Sequence, residues 1–218
     1  MSRYVGSSSY KAIKFLESMF EVRGYNLKTK EVVFSPQTNL WQVFIRTAQD
    51  EKVMCVLTPN GESDTVMEEQ KLDSSSTMFQ GSNKTENIGM EFIKSLEEYG
   101  VSNGVKLIVI ISQSVTSYAL RAISKSDINI LHFTYHETNI AKMAKHIYHP
   151  LMIRRLSPVE KKLYISGHTL YQKELQRYSQ NDALIKYHGF ELGDIVEYED
   201  RDKQTGLVKE YGIVVMDL

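Results

Sequence analysis

Two short patterns in the chain place a lysine two positions after an acid, Asp50-Glu51-Lys52 and Glu160-Lys161-Lys162. With a second acid upstream, such a pair can hold Mg²⁺ and orient water for phosphodiester cleavage. The first falls in a polar turn between two strand-like runs and the second on the outer face of a predicted helix, so both read as solvated surface charge. His132-Phe133-Thr134-Tyr135-His136 carries two histidines four apart, but the run begins as a strand. Four strand residues separate the rings by roughly 13 Å, too far to share a metal. His146 and His149 have helical spacing, with Pro150 directly against the pair. Ser112-Gln113-Ser114 sits at a strand-to-helix turn, where phosphate loops and nucleophile elbows occur, yet it contains no glycine for the tight turn those sites need. These residue types predict helix capping there, and no catalytic centre, metal site or cofactor anywhere in the chain.

The elements that would carry these residues follow from hydrophobic periodicity. Ser7-Ser8-Ser9 offers caps for a helix with Ile13, Leu16, Met19 and Phe20 on one face and Gly24 at its end. Residues 40–45 and 52–57 read as a hairpin closed by Pro59-Asn60-Gly61, and the polar stretch 61–84 as an exposed loop. Thr85 would cap a helix bearing Ile88, Phe92, Leu96 and Tyr99, stopped by Gly100. An apolar strand at 105–111, a helix with Tyr118, Ala119, Leu120 and Ile123, and a strand at 128–133 predict a βαβ unit with parallel strands. A helix over 137–145 follows. Beyond it, Leu151-Met152-Ile153 is a short extended piece, and Ser157-Pro158-Val159-Glu160 has the form of a capping box with proline in the first turn. A short helix over 182–188 ends at Gly189, and strands at 194–198 and 208–215 flank the Asp200–Gly206 turn.

The chain has 218 residues, 26 basic and 27 acidic side chains, and 42% apolar residues, which is ordinary globular composition. Residues 1–145 carry 16 basic and 16 acidic side chains, and residues 146–218 carry 10 and 11. That balance excludes a protein that holds nucleic acid by a surplus of Lys and Arg. Cys55 is the sole cysteine, so neither an internal disulfide nor a cysteine zinc site can form. The longest apolar run, 105–111, is too short to span a bilayer, and the first residues lack a signal-peptide core. The expectation is a protein of a reducing intracellular compartment, made of two modules, 1–145 and 146–218, with no membrane partner.

The second module carries an ordered set of segments. His146 is followed by Arg154-Arg155-Leu156-Ser157-Pro158-Val159-Glu160-Lys161-Lys162, then Leu175-Gln176-Arg177-Tyr178, then the run Asp182-Ala183-Leu184-Ile185-Lys186-Tyr187-His188-Gly189, then Gly193-Asp194-Ile195-Val196. In order and spacing they resemble the C-terminal assembly domain of the fifth shared subunit of eukaryotic nuclear RNA polymerases, a domain that also has an archaeal counterpart. That family has H-x-L-V-P-x-H, L-S-x-x-E-K, L-P-R-I, D-P-V-A-x-Y-x-G and G-x-V-V-K-I in this order. The first helix, ending Arg23-Gly24-Tyr25, and the βαβ unit are similar to the family's N-terminal part. The departures are definite. The prolines of L-P-R-I and D-P-V-A are replaced by Gln176 and Ala183, Pro150 is one place out of step, and the basic K-I-x-R reads Glu197-Tyr198-Glu199-Asp200.

The resemblance implies a divergent member, such as a viral one, with an α/β (α+β) fold: a jaw-type domain over 1–145 and a small assembly domain over 146–218. It implies a non-catalytic subunit of a DNA-dependent RNA polymerase. The second domain would dock on the largest subunit through His146, Pro150, Leu175, Arg177, Tyr178, Asp182, Tyr187, Gly189 and Gly193, and the first would lie near downstream duplex DNA. It implies a nuclear location, or a virion or host cytoplasm for a viral homologue. The reversed charges at Glu197, Glu199 and Asp200 bear on ion pairs with that partner. A small metal-dependent nuclease and a family paralogue repurposed as a binding module are the alternatives.

Overall fold

The computed structural model describes residues 8–25, 27–35, 40–47, 50–58, 87–139, 152–167, 175–202 and 206–216. The predicted loop 61–84, the Thr85 cap, the helix beyond residue 139 and the boundary near 145 lie outside them. The chain divides into two compact units, Met1–Thr138 and Asn139–Leu218. No helix among the described residues is long and apolar enough to cross a membrane.

The first unit contains α1 (Ser8–Val22), β1 (Leu27–Ser35), β2 (Leu40–Thr47), β3 (Lys52–Leu57), β4 (Asn87–Ile88), α2 (Met90–Asn103), β5 (Val105–Ser112), β6 (Ser114–Val115), α3 (Ser117–Ile123) and β7 (Asn129–Thr134). The main sheet has the order β1-β2-β3-β5-β7, and β4 pairs separately with β6. β2 and β3 run antiparallel, as the hairpin pattern predicts, and β1 adds a further antiparallel strand, whereas β3, β5 and β7 run parallel. β5, α3 and β7 form the expected βαβ unit. Its central strands are apolar throughout because both faces are covered: all of β3 beyond Lys52 is buried, and all of β5 except Lys106. One face packs Met54, Val56, Ile108 and Ile110 with Ile93 and Leu96 of α2 and Ala119 of α3. α1 buries Leu16, Met19 and Phe20 of the predicted face together with Ala12 and Phe15, while Ile13 is half-buried, and Phe15 meets Phe133 of β7 edge-on at 5.0 Å.

α2 departs from expectation at both ends. Its cap is Gly89 and Ile88 belongs to β4, while the helix continues past Gly100 to Asn103. Gly104, at φ 65°, makes the actual stop. Gly100 lies inside the helix because a Cβ there would stand 2.6 Å from Ile128 Cδ1 and 3.1 Å from Ile108 Cδ1, so its role is close approach. β1 was not foreseen. It is an edge strand with Thr29, Lys30, Glu31 and Val33 exposed, so only pairing with β2 distinguishes it from a polar loop. α3 is capped by Thr116, whose Oγ1 accepts from Ala119 N–H, and not by Ser112–Ser114.

The second unit contains β8 (Met152–Arg155), α4 (Pro158–Gly167), β9 (Gln176–Ser179), α5 (Ala183–His188), β10 (Ile195–Asp202) and β11 (Gly206–Val215). Its sheet has the order β8-β10-β11-β9, with β9 parallel to β11 and the other pairs antiparallel. With one mixed sheet in each unit and helices packed around them, the fold is α+β, as expected. Ile185, Val196 and Val214 form the apolar centre, flanked by Ile153, Tyr178 and Phe190. The predicted capping box is present. Ser157 N–H donates to Glu160 Oε2 at 2.7 Å, and Glu160 N–H donates to Ser157 Oγ at 3.3 Å.

The parallel edge strand β9 is admitted by a glycine. A Cβ at Gly212 of β11 would lie 2.3 Å from Tyr178 Cε2 and 2.9 Å from the backbone oxygen of Gln176. Gly212→Ala therefore forces the Tyr178 ring and β9 outward, and is expected to cost about 1–3 kcal/mol. Urea denaturation read from the β9 and β11 amide resonances checks this, and an unchanged midpoint would contradict it.

Candidate functional site

The acid–lysine patterns do not converge. Asp50, in the left-handed conformation at φ 62°, accepts from Arg46 Nη1 at 3.2 Å, while Lys52 Nζ donates to the Asn103 carbonyl at 3.0 Å, at the end of α2. Glu160 is turned toward the sheet rather than outward. Both of its oxygens accept from Arg154 Nη1, at 3.1 and 3.2 Å, in addition to closing the capping box, and Lys162 is exposed. Among the described residues no group of three or more His, Cys, Asp or Glu is placed to share a metal. His132 Nε2 lies 2.9 Å from Ser112 Oγ, which also donates to the Ser114 carbonyl at 3.2 Å. Ser112 is fully buried, so the pair pins β5 to β7 and presents no nucleophile. Cys55 is likewise fully buried, and burial pushes its thiol well above the ordinary range, away from reactivity.

The residues expected to face a partner divide by role. His146 and Pro150 lie outside the described residues. Leu175 and Tyr178 are half-buried, Tyr178 meeting Tyr198 edge-on at 5.8 Å, and Arg177 is exposed. Asp182 is exposed, but its Oδ1 accepts from Leu184 and Ile185 N–H at 2.8 and 3.3 Å and so starts α5. Gly189 and Gly193, at φ 72° and 79°, supply the turns after α5 and before β10. Tyr187 is 5% exposed within its own unit, its ring edge-on to His188 at 5.3 Å.

The centre that sequence reasoning missed is Glu197. Its acidic character stands out in the sequence, but as a charge aimed at a partner. In the fold it is 4% exposed and engaged internally. Arg154 grips it with two bonds, Nε to Oε1 at 3.2 Å and Nη2 to Oε2 at 2.8 Å. Lys209 Nζ donates to Oε1 at 3.1 Å and the Tyr211 hydroxyl donates to Oε2 at 3.2 Å. The strand register makes this possible, since Glu197 on β10 stands opposite Arg154 on β8 and Tyr211 on β11. Burial pushes the Glu197 carboxyl up, but the hydrogen bonds from Arg154 and Lys209 outweigh it and hold the group below the usual carboxylate range. The Ser157 backbone and hydroxyl, then Arg154, hold Glu160 low in the same way. The arrangement is an internal brace whose charges compensate each other.

No family model matches the chain. Over 101 residues, 45% of the chain, it is 30% identical to DNA-directed RNA polymerase V subunit 5A of Arabidopsis thaliana. Part of the chain resembles an RNA polymerase subunit. The match spans 44% of that curated relative, less than half its length. Among solved structures, one described as the structure of EndoMS in apo form covers 56% of the chain and 45% of its own, at 15% identity and a TM-score of 0.32. A likeness that slight carries neither fold nor function.

Because the folded-state carboxyl of Glu197 titrates below its unfolded value, its contribution to stability is present above the usual carboxylate range and is lost as pH falls through the folded value. Glu197→Gln is expected to lower stability at neutral pH by about 1–3 kcal/mol and to flatten the loss of stability on acidification. Urea denaturation of the full chain, followed at β10 and β11 amides across the acid range, measures both. Identical pH slopes for the two proteins would refute the assignment.

Proposed function

We propose that the chain is a non-catalytic subunit of a multisubunit DNA-dependent RNA polymerase. The observation that carries this reading is the partial identity with an RNA polymerase V subunit, and the ordered motifs from His146 to Val196 support it. In this reading nucleotidyl transfer belongs to the large subunits, and this chain contributes assembly surface. Residues 146–218 dock on the largest subunit, with Arg177 as an exposed anchor beside Leu175 and Tyr178, and with His146 and Pro150 in the approach. Residues 1–145 form part of a jaw near downstream duplex DNA, touching phosphates without reading bases, consistent with a module that has no net charge. The protein works where its polymerase works, in a nucleus, or in a virion or host cytoplasm if the source is a large DNA virus.

Affinity capture of the full-length chain from its native source, with mass spectrometry of what co-purifies, tests the reading. The large polymerase subunits are expected in near-stoichiometric amount, and Arg177→Ala is expected to reduce their recovery. Recovery of a lone chain with Mg²⁺-dependent cleavage of DNA, abolished by alanine at Asp50 and Lys52 or at Glu160 and Lys162, would replace it with a nuclease. Stable capture of an unrelated partner in place of polymerase subunits would make it a repurposed binding module.

A further inference from the structure

α4 is an unusual helix in its own unit, because none of its ten residues is buried. Val159 and Leu163 are 68% and 66% exposed. Among the described residues, its contacts with the rest of the unit include Glu160 to Arg154, Lys161 Nζ to the Gly193 carbonyl at 2.5 Å, and the Tyr164 ring against Tyr211 at 4.7 Å. A helix of this length has little stability alone in water, and unlike α1 and α2 it buries no apolar side chain. Arg154 is therefore shared. Its Nε and Nη2 stay on buried Glu197 in the sheet, while its Nη1 reaches out to Glu160 at the start of α4.

We propose that Arg154 is an ionic latch, and that α4 lifts from the sheet as a unit when the Arg154–Glu160 arm opens while the Arg154–Glu197 arm and the sheet stay intact. The two arms differ in the way this requires. Glu197 is almost wholly enclosed and is also held by Lys209 and Tyr211, so its arm is costly to break. Glu160 and Arg154 are 43% and 40% exposed, so water and salt compete directly for their arm. Other charged or titratable groups near the latch are Glu199, 3.8 Å from Lys209, and the phenols of Tyr164 and Tyr211. Opening would uncover the Tyr211 ring and the outer arm of Arg154 without unfolding the sheet. The inference stands apart from the polymerase reading.

Amide hydrogen exchange of the full-length chain, resolved by NMR, reads the latch. The 162–167 amides are expected to exchange about tenfold or more faster than those of β10 and β11, through local opening. Addition of 1 M NaCl should accelerate the 162–167 amides and leave β10 and β11 unchanged. Glu160→Gln keeps an acceptor for the cap but removes the charge, and should accelerate the same amides about two- to fivefold and abolish their salt response. Ser157→Ala weakens the cap with the ion pair intact, and should accelerate exchange with the salt response retained. Exchange of α4 in step with β10 and β11, or an unchanged salt response in Glu160→Gln, would overturn the proposal.

Discussion

A carboxylate enclosed at the middle of a sheet sets a constraint on everything around it. Glu197 cannot be left without partners at 4% exposure, since an uncompensated charge there would be strongly destabilising. Both neighbouring strands must therefore deliver donors at one register. β8 supplies Arg154 and β11 supplies Lys209 and Tyr211, and a slip of one residue in either strand would turn those donors to the opposite face. The brace thus fixes strand pairing from one face while Ile185, Val196 and Val214 close the other. It also decides where α4 lies, because the remaining nitrogen of Arg154 reaches the same Glu160 that closes the helix cap.

From the sequence alone, the acidic run Glu197-Tyr198-Glu199-Asp200 suggests a charged surface aimed outward. In the fold, Glu197 draws its compensation from Arg154 and Lys209 within the same unit, and Glu199 lies 3.8 Å from Lys209. The charges of Glu197 and Glu199 are thus compensated within their own unit. Arg177 is exposed on the short edge strand β9.

The first unit follows a different logic. Its central parallel strands β3 and β5 are covered on both faces, and the polar groups at the carboxyl ends of β3, β5 and β7 are committed to the fold. Ser112 joins His132, and the Tyr135 hydroxyl donates to the Thr58 carbonyl. In many α/β proteins this end of the sheet holds a ligand, but here its side chains hold strands together. The acid and lysine of the nuclease-like pattern belong to separate local structures, a turn and a helix terminus.

What the sequence by itself determined were features whose cause is local. The capping box at Ser157 and Glu160, the left-handed glycines at 24 and 189, the β2–β3 hairpin and the βαβ unit all depend on contacts within one or two neighbouring elements. The βαβ unit adds only the handedness that chain twist imposes. Tertiary structure alone decided the features that need partners far along the chain. Gly100 is a close-approach glycine because Ile128 lies across from it, β1 is a strand because β2 satisfies its backbone, and Gly212 is required by Tyr178 on a parallel strand. Glu197 is the clearest case. Its charge is plain in the sequence, but its meaning comes from Arg154, 43 residues earlier, and Lys209, 12 residues later. Only strand register brings those groups within hydrogen-bond reach, and register is set by the packing of the whole sheet.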